Sequence, residues 1–580
     1  MRRILFLTCL ISISAFGQIP KNQTPAYPEL INYYQTVADN HPGYARLVEF
    51  GMTDAGFPLH YLVIDRSGVF EPDSLSKSGK AICMIMNGIH PGEACGINAS
   101  LSFASQIAAE PPGELVYVII PVYNIGGALI RNSTFRANQE GPEEYGFRGN
   151  ARNLDLNRDF IKCDSRNARS FAQLFQMWNP HVFIDTHTSN GADYQPNITL
   201  LSTFSEKLAP MQALFLEKEM KPGLYEKMAS RGEEMVPYVR MIGQNPREGI
   251  SIFLDHPRYS SGYTALFNTL SFMTEAHMLK PFENRVRATF NFLESMNEFL
   301  KERGDIIVKL KEIADQKTAE TKEYTTKWQV AKDEDILVFP GFEIQKRYSD
   351  LSGREYFTYD RSQPYRDTIP YRNRAKGFYT FTLPEYYVVP SSNFEVLELL
   401  RINGVQMTEL TSDTTIQVTA KYAAYYETSP EPYEGHYPHR NVGTTQRVDS
   451  VKFRKGDVLI HCNQPANRYL AHVLEPQSED SFFSWNFFDS FLSRKEYFSS
   501  YLFEETALEI IDRNPSLERA LQSKKREDSG FAEDGYEQLR YIYENSVHSE
   551  DIHSFPTRRS SISFCGGLRT NHRRRSKSVV

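Results

Sequence analysis

The tetrapeptide His90-Pro91-Gly92-Glu93 follows an apolar run, and nearly a hundred residues later a second apolar run ends in Asp185-Thr186-His187. Two imidazoles and a carboxylate, each delivered at the end of a buried strand, are what a catalytic Zn²⁺ takes: three protein ligands, with the fourth position kept for water. The order of short pair, long gap and single His reads as a hydrolytic site, because water in that position loses its proton near neutral pH. A third apolar run, Leu270-Ser271-Phe272-Met273-Thr274, ends in Glu275, a candidate general base. An H-x-x-E string alone arises by chance and usually marks a surface pair. Its company gives it weight.

After the strand Glu114–Tyr123 come Asn124-Ile125-Gly126-Gly127, then Arg131 and Arg136, then Asn153-Leu154-Asp155-Leu156-Asn157-Arg158-Asp159. With these landmarks in this order, residues 25–300 resemble the zinc carboxypeptidases of the carboxypeptidase A-like family. The resemblance implies that His90, Glu93 and His187 bind one zinc per chain and that Asn157 and Arg158 hold the C-terminal carboxylate of a peptide. It further implies that Arg136 stabilises the oxyanion and that Glu275 acts as base and then as acid. Asp155 falls where the family has a carboxylate that orients a zinc-binding imidazole. Three departures stand out. The turn reads Asn-Ile-Gly-Gly rather than Asn-Pro-Asp-Gly, a difference of loop geometry. Tyr259 and Tyr263 both lie in the loop that carries the family's mobile capping Tyr. The residue that sets side-chain preference in that loop does not align.

The chemistry stands without the family. An imidazole ligand needs its second nitrogen held by an acceptor, a task for a nearby Asp. A planar guanidinium such as Arg158 grips a carboxylate through two parallel hydrogen bonds, which an ammonium cannot do. A second arginine aimed at the scissile carbonyl meets charge that develops only in the transition state, and losing such a donor typically costs roughly 10²–10³ in rate.

Such a site needs rigid elements to hold it. Helix Glu29–Asp39, strands Arg46–Met52, Leu59–Asp65 and Lys80–Asn87, helix Gly96–Ala109 and strand Glu114–Tyr123 are expected first. Helix Asn167–Trp178, strand His181–Thr186, helix Pro210–Met220 and strand Leu270–Ala276 follow. This rhythm predicts an α/β fold, a mixed, mainly parallel sheet flanked by helices. In such sheets ligands gather at the carboxyl ends of strands, where His90, Asn124, His187 and Glu275 all fall. From Pro281 a helix is expected to about Thr321, its first half (Val286, Phe290, Phe292, Met296, Phe299) closing the catalytic domain and residues 301–322 forming a charged connector.

Residues 323–546 read as a β-rich accessory region, with runs such as Gly377–Leu383, Thr415–Ala424 and Asp457–Ile460 between Pro- and Gly-bearing turns. It resembles the C-terminal appendage of some bacterial members of the family. Its aromatics (Tyr386, Tyr387, Tyr422, Tyr425, Tyr426, Phe482, Phe483, Trp485, Phe487, Phe488) are expected in a core or domain interface rather than on a ligand surface. A helix is expected at Ala507–Arg513. His436, His439 and His461 form no metal-ligand pattern and are read as structural.

At 580 residues the chain is too long for one ordinary core, and 41% apolar with 24% charged residues is a soluble globular composition. A formal charge of −7 suggests no general nucleic-acid affinity, which needs a basic patch. Met1-Arg2-Arg3, the apolar run Ile4–Phe16 and the small-x-small site Ala15-Phe16-Gly17 predict a signal peptide over residues 1–17 and an exported enzyme, periplasmic or secreted. No other segment approaches a membrane-spanning length. Cys83, Cys95, Cys163 and Cys462 are too scattered for a disulfide framework, and Cys83 reads as a small buried apolar residue. Residues 547–580 read as a disordered or artefactual tail: from Asp551 they carry seven basic residues and one acidic, and His553–Ser561 resembles translated adapter sequence.

The primary reading is an exported zinc metallocarboxypeptidase acting on peptides with a free C-terminal carboxylate. The alternatives are a zinc amidase or deacylase on cell-wall peptides or acylated amino acids, and an inactive binding protein. The complete set of ligands, base and arginines speaks against the last.

Overall fold

A computed structural model describes residues 21–493 and 495–549. The signal peptide expected at residues 1–17, and the tail from residue 550 on, lie outside the described residues. These divide into two compact units. The first runs up to Ala314 and takes in Gln329–Lys376; the second joins Asp315–Trp328 to the residues from Gly377 on.

Up to His277 the first unit carries ten strands: β1 (Ala45–Met52), β2 (Pro58–Ile64), β3 (Ala81–Met86), β4 (Leu115–Ile120), β5 (Val182–Ser189), β6 (Ile198–Ser202), β7 (Met235–Pro237), β8 (Arg240–Met241), β9 (Ile250–Ser251) and β10 (Leu270–His277). Eight form one mixed sheet in the order β1-β2-β4-β3-β5-β10-β6-β7. Its centre, β4-β3-β5-β10, is parallel throughout, and β1-β2, β2-β4 and β10-β6 are antiparallel. Every residue of β3, β4, β5 and β10 is buried, as continuous apolar strands covered on both faces must be.

Helices Tyr27–Asn40, Cys95–Ala109 and Phe282–Glu320 contribute to a core that also holds Ile85, Ile119, Ile184 and Phe272 from the sheet. Helix Arg166–Trp178 is capped by Ser165, whose side chain accepts from Ala168 N. It stops at Asn179 in the left-handed conformation (φ 41°), which a short polar side chain tolerates.

The expected α/β sheet is therefore present, with the expected strands within a few residues of their bounds. Strands β6 and β7 were not foreseen. Nor was β5's extension to Ser189, which puts His187 inside the strand rather than after it. The region 301–322 is no bare connector, because Phe282–Glu320 is one helix whose Ile307 and Leu310 are buried in the first unit's core. The reading of 323–546 as one region also differs from the structure. Strands Asp335–Tyr348 and Glu355–Arg372 form a long antiparallel hairpin that pairs with β9 and belongs to the first unit.

The second unit is β-rich in its first part. Tyr386–Val389, Val458–His461 and Thr408–Glu409 make a three-stranded sheet, and Thr414–Thr428 pairs with His439–Phe453. Helices Ser500–Arg513, Pro515–Glu527, Ser529–Glu533 and Gly535–Glu544 then pack around Phe503, Leu517, Leu521, Phe531 and Ile542. Only the first of these was expected. Tyr387, Tyr422, Phe482, Phe483, Trp485 and Phe488 are core residues, whereas Tyr425 and Tyr426 are exposed. His439 is buried, with Nε2 2.9 Å from Asp489 Oδ1 and Nδ1 3.0 Å from Thr428 Oγ1. Cys83, Cys95, Cys163 and Cys462 are buried free thiols. Among the described residues no helix is long and apolar enough to cross a membrane.

Candidate active site

The site is assembled by the central parallel strands. β3 leads through a tight turn into His90, and Glu93 N donates to His90 O at 2.8 Å. The turn begins at Gly88 (φ +62°), where a Cβ would press on Val122 Cγ2 at 2.9 Å. Helix Cys95–Ala109 starts directly afterwards and approaches β5 so closely that a Cβ on Gly96 would fall on Thr186 Oγ1. That approach sets the His90–Glu93 turn against His187. On the other side of β5, parallel pairing puts Glu275 in register with His187, so both project to the same side of the sheet.

His90, Glu93 and His187 come together, their ligand atoms all within 4.8 Å of one another. Each imidazole turns Nδ1 toward the Glu93 carboxylate, His90 at 3.3 Å from Oε1 and His187 at 3.1 Å from Oε2. Each turns Nε2 to an aspartate: His90 lies 2.8 Å from Asp155 Oδ1, and His187 2.8 Å from Asp185 Oδ2. His90 Nδ1 is buried and has no hydrogen-bond partner among the described residues, a condition rarely left in a folded protein. Two ring nitrogens and a carboxylate converging from one side, with aspartates behind both rings, fit a zinc ion in ligand type, number and outer support.

Arg136 donates to Glu93 Oε1 (2.8 Å), Gln139 Oε1 (2.6 Å) and Thr188 O (2.9 Å). Thr188 N donates to Glu93 Oε2 at 2.8 Å. Burial pushes the Glu93 carboxyl up, but Arg136 and the two imidazoles outweigh it and hold the group well below the usual carboxylate range. Glu275 behaves oppositely. Burial, with Glu93 nearby, pushes it up to about 7, against the opposing pull of His187, His90 and Arg136.

The cluster opens onto a cleft of about 570 Å³ whose walls include every expected site residue: His90, Glu93, Arg136, Asn157, Arg158, His187 and Glu275. Asn157 is buried, its Oδ1 accepting from Ser260 N at 3.0 Å. Arg158 donates from Nη1 to Asn157 O at 2.7 Å and lies over the Tyr259 ring at 4.6 Å. The two tyrosines left open by the sequence separate here. Tyr259 lines the cleft, whereas Tyr263 is fully buried among Phe160, Phe175 and Phe267. Arg131 plays no part in the cleft and donates to Thr24 O, Pro25 O and Glu144 O.

Two residues escaped the sequence reading. Asp185 had a signal, for it shares a strand face with His187 two residues on. Arg148 had none. Its Nε donates to Asp155 Oδ2 at 3.0 Å, and its Nη1 lies 3.5 Å from Glu93 Oε1. The Asn-Ile-Gly-Gly turn explains its position. Asn124 Nδ2 donates to Ile89 O (3.2 Å) and Arg148 O (2.9 Å), tying the His90 turn to the Arg148 loop. A Cβ on Gly126 or Gly127 would collide with Ala151 N or Phe147 O, so the glycines let that loop close in.

Residues 30–233 match the sequence model of the family described as zinc carboxypeptidase. The chain is similar to "Carboxypeptidase 2" of Trichophyton tonsurans and of Trichophyton rubrum, 22% identical to each over 451 residues, which is 74% of this chain and 77% of each relative. Among solved structures it is similar to a metallo-carboxypeptidase from Burkholderia cenocepacia, at 17% identity and a TM-score of 0.36 over 49% of this chain and 71% of that one. Residues 30–233 thus carry the sequence pattern of the zinc carboxypeptidases, and the chain is an enzyme, a metallocarboxypeptidase.

Proposed function

We propose that the chain removes C-terminal residues from peptides in an exported setting, with one zinc held by His90, Glu93 and His187. The observation that carries this reading is the cleft, which gathers the three-ligand cluster, a buried glutamate and an Asn-Arg pair in one cavity. A Zn²⁺ held there supplies Lewis acidity to the scissile carbonyl and lowers the pKa of water. The chain's own groups do the rest. Arg158, steadied by Asn157 O and the Tyr259 ring, binds the terminal carboxylate through paired N–H donors. Arg136, with Arg148 beside it, faces the carbonyl oxygen as it gains charge. Glu275 accepts the proton of the attacking water on its carboxylate and passes it to the leaving amine. Asp155 and Asp185 fix the two imidazoles.

The cleft lining includes Leu201, Tyr238, Phe253 and Met273, uncharged side chains that suit an apolar or aromatic released residue. Export rests on the amino-terminal signature of residues 1–17, and a bacterial source with an appended second region on the resemblance of residues 323–546. Incubating purified protein with a peptide mixture and with cell-wall fragments, and identifying products by mass, tests the reading. Loss of single C-terminal residues supports it, and deacylated products without such loss replace it with an amidase.

A further inference from the structure

The hairpin of Asp335–Tyr348 and Glu355–Arg372 lies beyond the residues that match the zinc carboxypeptidase family, yet it is part of the same compact unit. Its contacts converge on the segments that follow the two site-bearing strands. Arg361 donates from Nε to Asp193 Oδ2 at 2.6 Å and from Nη2 to Leu279 O at 2.8 Å. Asp193 is buried in the segment after β5, and Leu279 is two residues past the end of β10. Lys280 holds the other side of Asp193, 3.1 Å from Oδ1, and donates to Tyr194 O. Gln195 is fastened to the hairpin by Nε2 donating to Gly341 O (3.0 Å) and Tyr365 O (2.7 Å).

The hairpin's second strand reaches another wall. Tyr371 and Arg372 pair with Ile250 and Ser251 of β9, and Ile252 N donates to Arg372 O at 2.9 Å. Each gripped segment runs straight into the cleft, whose lining includes Ser189 and Asn190 before Asp193, Met278 before Leu279, and Phe253 after Ile252.

We infer that the 335–372 hairpin is a positioning element of the cleft, with Arg361 tying the segments after β5 and β10 together behind the wall that Ser189, Asn190 and Met278 contribute. The physical reason is connectivity. His187 and Glu275 sit inside paired strands and need no further support, but the loops beyond them do. Lys280 joins the two loops from within, and the Arg361 guanidinium, bonded to a carboxylate in one loop and a carbonyl in the other through its planar fork of donors, adds a second tie from the hairpin. Arg361 is a positioning residue, and its effect falls on substrate binding rather than on the chemical step.

The test is Arg361→Ala beside Arg361→Lys in the full chain, read by steady-state kinetics on a free-carboxylate peptide and by amide hydrogen exchange. Only the kinetic arm rests on the proposed function. Arg361→Ala should raise KM about tenfold while kcat stays within about threefold, the pattern of lost uniform binding. Exchange in segments 189–195 and 278–280 should quicken by about tenfold or more, with β3 unchanged. Arg361→Lys should recover part of both effects. An unchanged KM overturns the inference, even with faster local exchange, because the hairpin is then merely structural. Exchange that quickens equally in β3 overturns it as well, as does exchange that stays at the wild-type rate. Should Arg361→Ala fail to fold, Arg361→Gln is read by the same two measurements. If wild type cleaves no peptide, the proposed function falls while exchange still decides this inference.

Discussion

Replacing Asp155 by Asn tests how the metal site is supported without relying on turnover. The Asp155 side chain is nearly buried, 2.8 Å from His90 Nε2 through Oδ1 and 3.0 Å from Arg148 Nε through Oδ2, and Oδ1 also accepts from Asn157 N at 2.9 Å. Burial pushes its carboxyl up, but His90, Arg148 and Arg158 outweigh that and hold it well below the usual carboxylate range. An amide of the same shape keeps one oxygen for the imidazole and turns an N–H toward the Arg148 guanidinium, donor against donor. The imidazole then loses a charged acceptor, and such outer partners typically contribute 10–100-fold in metal affinity, roughly 1.4–2.7 kcal/mol. Zinc titration against a chromophoric chelator should show Kd raised by about that factor in Asp155→Asn, and by a similar factor in Asp185→Asn, which removes the partner of His187. A Kd within about twofold of wild type, in a variant that unfolds at the wild-type temperature, would refute the reasoning.

Glu275→Gln should lower kcat by roughly 10²–10⁴ while leaving zinc bound, since the amide cannot take a proton and Glu275 lies outside the ligand cluster; a variant keeping more than about a tenth of wild-type kcat contradicts the base role. Tyr259→Ala removes the ring under Arg158, a contact worth roughly 0.5–1 kcal/mol, and should raise KM for free-carboxylate peptides about two- to fivefold. Tyr263→Ala should instead cost about 3–5 kcal/mol of stability in urea unfolding, and the reverse assignment of the two tyrosines would show as the opposite pair of results. Gly96→Ala places a methyl on Thr186 Oγ1, so urea unfolding should show a loss of about 1–3 kcal/mol and zinc titration a weaker site; unchanged values for both would contradict the close helix–strand approach.

The sequence carried the central strands because parallel strands covered on both faces must be continuously apolar, and β3 and β4 hold no polar side chain apart from the Tyr117 hydroxyl. It carried the residues that meet in the cleft because ligand chemistry restricts residue type, so His90, Glu93, His187 and Glu275 stand out wherever apolar runs end. Less visible were contacts made across the chain. Nothing near Arg148 signals that Asn124 binds its carbonyl, and nothing near Arg361 signals Asp193, 168 residues earlier. Short edge strands such as β7, three residues long, present too little pattern for periodicity to register. The charged second half of Phe282–Glu320 hid Ile307 and Leu310, because two buried positions in a charged stretch look like a solvated helix.

The central claim is that the cleft reads the carboxyl end of a peptide. Matched peptides bearing a free terminal carboxylate or a terminal amide, followed by mass, test it most directly. Masking the carboxylate leaves the Arg158 guanidinium partly unpaired inside the cleft, at a cost of roughly 2–5 kcal/mol, or about 30-fold to several thousand-fold in kcat/KM. The expected result is stepwise loss of single residues from the free-carboxylate peptide, a much slower reaction of the amide, and a gap between the two that narrows in Arg158→Ala. Equal cleavage of both peptides, or cuts at internal bonds, would contradict the account.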